Sequence, residues 1–190
     1  MAKIQDATGR GFEAGVDSTN RLLTEAVNLA VREEAVLQGA SFEIGTLTTV
    51  TVDTEIGLLR VQNNGDRTLI IDRFEFSGTA STGGADNTLL LTLYNGASMA
   101  NGTASSAVNA NFASALQLEA DIEAGNGSTS TASGGTPFGS SYIRFEGQAT
   151  FNGPWAIPRG SSFVMTATPP AGNTSMGLTI RTLTHLQRSE

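Results

Sequence analysis

A chain of 190 residues is long enough for one cored domain with an appendage, burying roughly two thirds of its unfolded surface. Its net charge of −7 and pI near 4.7, without any basic run, exclude a polyanion as the main partner, because nucleic-acid binders gather positive charge on one face. With no cysteine and a single histidine, disulfides, thiolate metal sites, thiol nucleophiles and histidine zinc centres are excluded as well.

No run approaches the roughly 18 apolar residues of a membrane span, and the first residues lack a basic segment followed by an apolar one. Neither a membrane partner nor a secretory signal is expected, and the chain reads as soluble and made in the cytosol.

Residues 1–40 read as an N-terminal arm. The stretch "DATGRGFEAGVDSTNRLL" brings Gly9, Gly11 and Gly15 close together, but for a G-x-G-x-x-G fingerprint the third glycine is one residue late. The preceding "MAKIQDAT" carries only Ile4 as an isolated apolar side chain, too little for the buried strand that the fingerprint needs. A P-loop needs a lysine after its last glycine, and Lys3 is the only lysine in the chain. The glycines therefore free the base of an arm, and no cofactor is expected. Beyond them Asn20 can cap a helix, Leu23, Val27, Ala30, Val31 and Leu37 recur near helical spacing, and Gly39 sits where a helix stops. An extended form, with "NRLLTEAV" as an edge strand, fits equally well. In either form Phe12, Val16, Leu22, Leu23, Val27 and Val31 supply the apolar surface through which the arm would meet a partner.

Residues 41–190 read as an all-β domain: short runs rich in Val, Ile, Leu, Thr and Phe alternate with Gly, Asn, Asp, Ser and Pro. Eight runs are expected as strands: Phe42 to Val52, Ile56 to Gln62, Thr68 to Ser77, Thr88 to Tyr94, Ala115 to Glu123, Ser141 to Phe151, Ser162 to Pro169 and Met176 to His185. In the third, Leu69 and Ile71 point one way while Phe74 and Phe76 point the other, so its apolar face changes sides and the strand bends or moves between sheets. "NNGDRT", from Asn63 to Thr68, joins two antiparallel strands tightly, and "IPRGSS" and "PPAGNTS" reverse the chain on either side of the seventh run. Eight such strands predict a two-sheet sandwich with jelly-roll topology. Asn95 to Asn111 and Gly125 to Ser140, rich in small polar residues, are expected as exposed loops and candidate contact surfaces. Met99 and Phe138 stand out in them as large apolar residues.

Catalytic chemistry finds little to work with. His185 is read as the end of a strand followed by a frayed tail. The acids group as Asp53 with Glu55, Asp72 with Glu75, and Glu119, Asp121 and Glu123, read as solvated strand faces. Glycosidases set such acids across an aromatic cleft, whereas this chain has one tryptophan, Trp155, and two tyrosines, Tyr94 and Tyr142. "DIEAGN", Asp121 to Asn126, resembles a calcium loop only in its opening and lacks the closing bidentate Glu. No enzyme, catalytic residue or metal site is expected.

The N-terminal "GRGFEAGVDSTNRLLTEAV", then "GASFEIGTLTTVTV" and "GLLRVQNNGDRTLIIDRF", and the C-terminal "IPRGSSFVMTATPPAGNTSMGLTI", resemble a group of tailed-bacteriophage virion proteins. The resemblance covers both ends and roughly half of the chain; the middle, from about Thr79 to Gly139, departs from it. It implies a structural virion component, made in the bacterial host cytoplasm and placed on the capsid surface. The leading expectation is a trimeric capsid decoration, or cement, protein whose arm binds the major capsid protein or other virion proteins. A head fibre, neck or tail attachment protein is the alternative, and a carbohydrate-binding host-adhesion module the next.

Overall fold

The computed structural model describes residues 4–5, 13–16, 22–23, 31–50, 54–78, 88–144, 147–169, 171–172 and 176–187. Two compact units divide the chain, Met1–Val31 and Arg32–Glu190. In the first, β1 (Ile4–Gln5), β2 (Glu13–Val16) and β3 (Leu22–Leu23) form a small antiparallel sheet in the order β1-β2-β3. Leu22 and Leu23 thus lie on an outer strand, the extended form of the two expected. Among the described residues α-helix is confined to α1 (Val31–Leu37), whose Ala35 belongs to the core of the second unit. Glu33 and Glu34 in its first turn suit the helix dipole. Gly39 ends it as expected, at φ +70°, with Gly39 N donating to Val36 O and Ala40 N to Ala35 O. A side chain there would also strike Ser114 Oγ at 2.1 Å, so both backbone and packing require glycine.

The second unit is a sandwich of two antiparallel sheets. Its strands are β4 (Ser41–Val50), β5 (Ile56–Asn63), β6 (Leu69–Gly78), β7 (Thr88–Asn95), β8 (Ser98–Ala100), β9 (Thr103–Ser105), β10 (Ala107–Asn109), β11 (Ala120–Ala124), β12 (Thr131–Ser133), β13 (Thr136–Arg144), β14 (Gly147–Ile157), β15 (Ser162–Thr168) and β16 (Met176–Leu186). One sheet runs β10-β4-β16-β6-β14 and the other β13-β7-β15-β5-β11-β9, while β8 and β12 pair separately. Period-two alternation drives the layering: along β4, Phe42, Ile44, Thr46, Thr48 and Val50 are buried while Gly45, Leu47 and Thr49 are exposed. Phe42, Ile44, Leu59, Ile71, Phe74, Leu89 and Met165 meet in the core between the sheets.

The described residues of this unit hold thirteen strands, not eight. The fifth expected run is a strand only over Ala120–Ala124, and the sixth is two strands, β13 and β14. The segments 95–111 and 125–140, expected as loops, contribute β8, β9, β10, β12 and the start of β13. Their small residues fail as core strands but suffice at sheet edges, where backbone pairing needs little side-chain burial. Met99, from the first of them, is buried against Gly57.

The expected change of face in β6 is real, but the strand stays in one sheet. Leu69 and Ile71 are buried, then Phe74 and Phe76. Pairing with β16 skips Asp72: Leu183 lies opposite Arg73 and Thr184 opposite Ile71. This β-bulge resets the pleat by one residue, which returns both apolar pairs to the core side.

The two lateral sides of the sandwich differ. On the β4/β5 side the chain between residues 96 and 135 extends one sheet with β10 and the other with β11 and β9. A single 3-10 turn, Gly127–Thr129, lies against both β4 and β5, and Gly127 N donates to Thr48 Oγ1 at 3.1 Å. Gly125 packs so closely that an added Cβ would lie 2.3 Å from Gly57 O. On the opposite side β13 and β14 are the edge strands of their sheets.

Candidate functional site

Several of the acids noted in the sequence are engaged in the structure. Glu55 accepts from Tyr94 Oη at 3.0 Å and from Thr166 Oγ1 at 2.5 Å. Burial, then the hydrogen bond and charge of Glu55, push the Tyr94 phenol above its ordinary range. Glu123 pairs with Arg60 at 3.1 Å. Glu75 meets Arg73 at 2.9 Å and Arg181 at 3.1 Å, and Arg181 also holds Glu43, so a charge ladder crosses β4, β16 and β6. These carboxylates keep the Arg181 guanidinium firmly protonated, its pKa raised chiefly by Glu43. All these groups are part-exposed, so the ladder stabilises by less than about 1 kcal/mol per pair. Glu119 and Asp121 are exposed, and Asp53 lies outside the described residues.

His185 lies at the end of its strand, as expected. It is 8% exposed on β16, and its Nδ1 lies 3.0 Å from Asp72 Oδ2. The bulge on β6 brings the carboxylate to it. Ser41 stands across from His185 in register, and its hydroxyl donates to Thr184 O at 3.2 Å. Among the described residues no cluster of three or more His, Asp or Glu is placed to hold a metal. The segment Asp121 to Asn126 forms β11 and the entry to the turn, with Asn126 N bonded to Ser130 Oγ at 2.6 Å.

Of the expected arm residues, Val16 lies on β2, Leu22 and Leu23 on β3, and Val31 opens α1. Val16 pairs with Leu22. Phe12 and Val27 lie outside the described residues.

What the structure builds instead is an aromatic cleft between the β13 and β14 edges. Leu91 and Leu93 on β7 lie opposite Ser141 and Gly139 on β13. Two small residues in core-facing positions leave space that two leucines cannot fill. The opening measures about 200 Å³, lined mainly by Phe74, Phe76, Phe138, Phe151, Trp155 and Met165.

Bulges on both edge strands aim the rim. The β13/β7 register skips Phe138, between Pro137 and Gly139, and Phe138 turns to Phe163 with ring centres 6.1 Å apart. On β14 the register jumps between Asn152 and Trp155, placing the indole 5.3 Å from Phe74. Phe74 in turn stacks on Phe163 at 5.3 Å, and Phe76 meets Phe151 edge-on at 5.5 Å. Chemically the cleft can take an apolar group and nothing that needs a partner charge.

Sequence reasoning singled out Phe138 and Trp155 without joining them. The available signal was the small-residue pair at alternate positions, Gly139 and Ser141, leading into a strand otherwise fit for a core. Comparison with the models of known protein families finds no match, and comparison with curated proteins finds none either.

Proposed function

We propose that the second unit is a jelly roll and that the chain is a structural component of a bacteriophage virion, a capsid decoration protein bound to the major capsid shell through its N-terminal unit. The observation that carries the reading is the pairing of the eight strands of seven residues or more. The first pairs with the last, β4 with β16, then β5 with β15, β6 with β14 and β7 with β13. Nested pairing of this kind is one long hairpin folded over on itself. The orders β4-β16-β6-β14 and β13-β7-β15-β5 follow the jelly-roll scheme, an architecture frequent in viral shells.

Two further observations support it. The N-terminal 31 residues form a unit of their own, as an attachment element requires. Glu43, Glu55, Glu75 and Glu123 are engaged in ion pairs and hydrogen bonds and do not line the aromatic cleft, in keeping with a non-enzymatic role. In this reading the chain works by mass action: an N-terminal unit that buries apolar surface on the assembled shell stabilises that shell over its expanded or broken states.

Quantitative mass spectrometry of purified particles tests it. A copy number equal to the capsid subunits, or a simple fraction of it, is expected. A few per cent or less would place the chain at the neck or tail, and absence from the particle would overturn the reading. Particles lacking the chain should also lose resistance to heat, and deletion of residues 1–31 should abolish capture by empty shells while the sandwich stays folded.

A further inference from the structure

Phe112 is 92% exposed, an uncommon state for a large apolar side chain, and it is held there by structure. Its loop follows β10 and is fastened by its own polar side chains. Asn109 Nδ2 donates to Gly39 O at 2.7 Å and to Leu116 O at 2.9 Å, while Asn109 Oδ1 accepts from Asn111 N at 2.8 Å. Asn111 Oδ1 accepts from Ala113 N at 3.1 Å, and Ser114 Oγ from Leu116 N at 3.2 Å. Such fastening removes most of the ordering cost that an exposed loop would meet on binding. Leu37 and Leu116, 68% and 42% exposed, belong to the same neighbourhood: Asn111 Nδ2 donates to Leu37 O, and Leu116 O is bound by Asn109.

The strand orders put this ring and the aromatic cleft on opposite sides of the sandwich. The Phe112 loop joins β10 to β11, both beyond the β4/β5 side, whereas the cleft opens between β13 and β14 at the other ends of the two sheets. The cleft's size suits one aromatic ring, since a cavity of roughly 150 Å³ lined by apolar side chains already holds benzene.

We propose that copies of this chain associate side by side, Phe112 of one copy entering the cleft between β13 and β14 of the next. A knob on one side and its socket on the other make a head-to-tail contact, which repeats around a closed ring when the rotation between copies allows. One aromatic anchor buries about 150–250 Å², well short of the roughly 800 Å² per partner of a stable interface. The contact is therefore weak in dilute solution and forms where copies are concentrated. It concerns the purified chain alone and stands or falls apart from the particle reading.

The chain has no cysteine, which makes directed cross-linking clean. Ala113→Cys, beside the ring, and Ser140→Cys, on the rim of the cleft, would be made as separate full-length proteins, mixed at about millimolar concentration and joined with a flexible bismaleimide. The mixed pair is expected to cross-link at least ten-fold faster than either protein with itself. That preference should vanish with Phe112→Ser. It should vanish equally with Gly139→Val, which fills the socket at a position where an added Cβ meets only Leu93 Cδ1, at 3.7 Å. As a second readout, the emission of Trp155, the only tryptophan, should shift with concentration in the parent chain and stay constant in both variants. Equal rates for mixed and self pairs, or a preference and an emission shift that survive both substitutions, would overturn the proposal.

Discussion

On the β4/β5 side of the sandwich, short strands from the excursion between residues 96 and 135 extend both sheets, and a turn bonded to Thr48 lies against β4 and β5. On the β13/β14 side two long edge strands leave the space between the sheets open. Both sides begin from the same problem, two sheet edges with apolar interiors behind them. The first is solved with backbone, through glycines that let strands approach within contact of one another. The second is left to side chains, and Gly139 and Ser141 are too small to complete it. Closure of a sandwich is thus a local property of each side, set by a few residues.

The largest expected effect tests whether the open side still carries stability. Phe74 is fully buried, stacked on Phe163 and beside Trp155, at the floor of the cleft. Phe74→Ala should lower unfolding free energy by about 3–5 kcal/mol in urea titration. A loss below about 1 kcal/mol would mean that the closed side alone holds the fold. Next, Gly125→Ala should cost about 1–3 kcal/mol, because the new methyl would press on Gly57 O and on Leu58 Cα, at 2.3 and 3.1 Å, which are backbone atoms that cannot swing aside. Amide exchange at residues 57–59 should quicken in that variant while the strands around the cleft keep their protection.

The opposite sign is expected at the cleft. Ser141→Leu adds apolar volume facing Leu91 and should raise stability by about 0.5–2 kcal/mol, read as an increased urea midpoint with unchanged slope. The smallest effect concerns Tyr94 at the edge of the core. Its raised phenol pKa means that the folded state holds the proton more tightly than the unfolded one. The stability it contributes is complete below about pH 10 and is lost as pH rises through the folded pKa. Tyr94→Phe should remove that alkaline decline, which a pH series of thermal melts would detect.

Much of the sandwich was legible because period two is a strong signal. The first four expected strands and the last two match observed ones to within a residue or two, and Gly39 ended its helix as read, but Asn63 to Thr68 closes no antiparallel pair, since β5 and β6 lie in different sheets. The short strands between 96 and 135 were not legible. Their Ala, Ser and Thr residues look like loop, and only partners brought there by the fold make strands of them: the edges of β4 and β5 for β10 and β11, β11 for β9, and each other for β8 and β12. Asp72 was hidden for a related reason: the sequence records that the apolar face of β6 switches sides, but not that one skipped residue does it. His185 likewise becomes a buried partner only through a strand that lies far away in sequence. The cleft itself needed both sheets to be assembled before Gly139 and Ser141 could be seen to leave a space.

The position of β16 has a consequence for how the protein comes to be made. It lies between β4 and β6, near the middle of its sheet, and pairs Ser41 with His185 across almost the whole described chain. Until β16 leaves the ribosome, β4 has only β10 beside it and β6 only β14, the sheet is split in two, and Phe42, Ile44, Phe74 and Phe76 lack their central partner. Completion of this sheet therefore waits for β16, and long-range pairing makes it slow once it starts. A nascent chain stalled before residue 176 should present this apolar surface to chaperones.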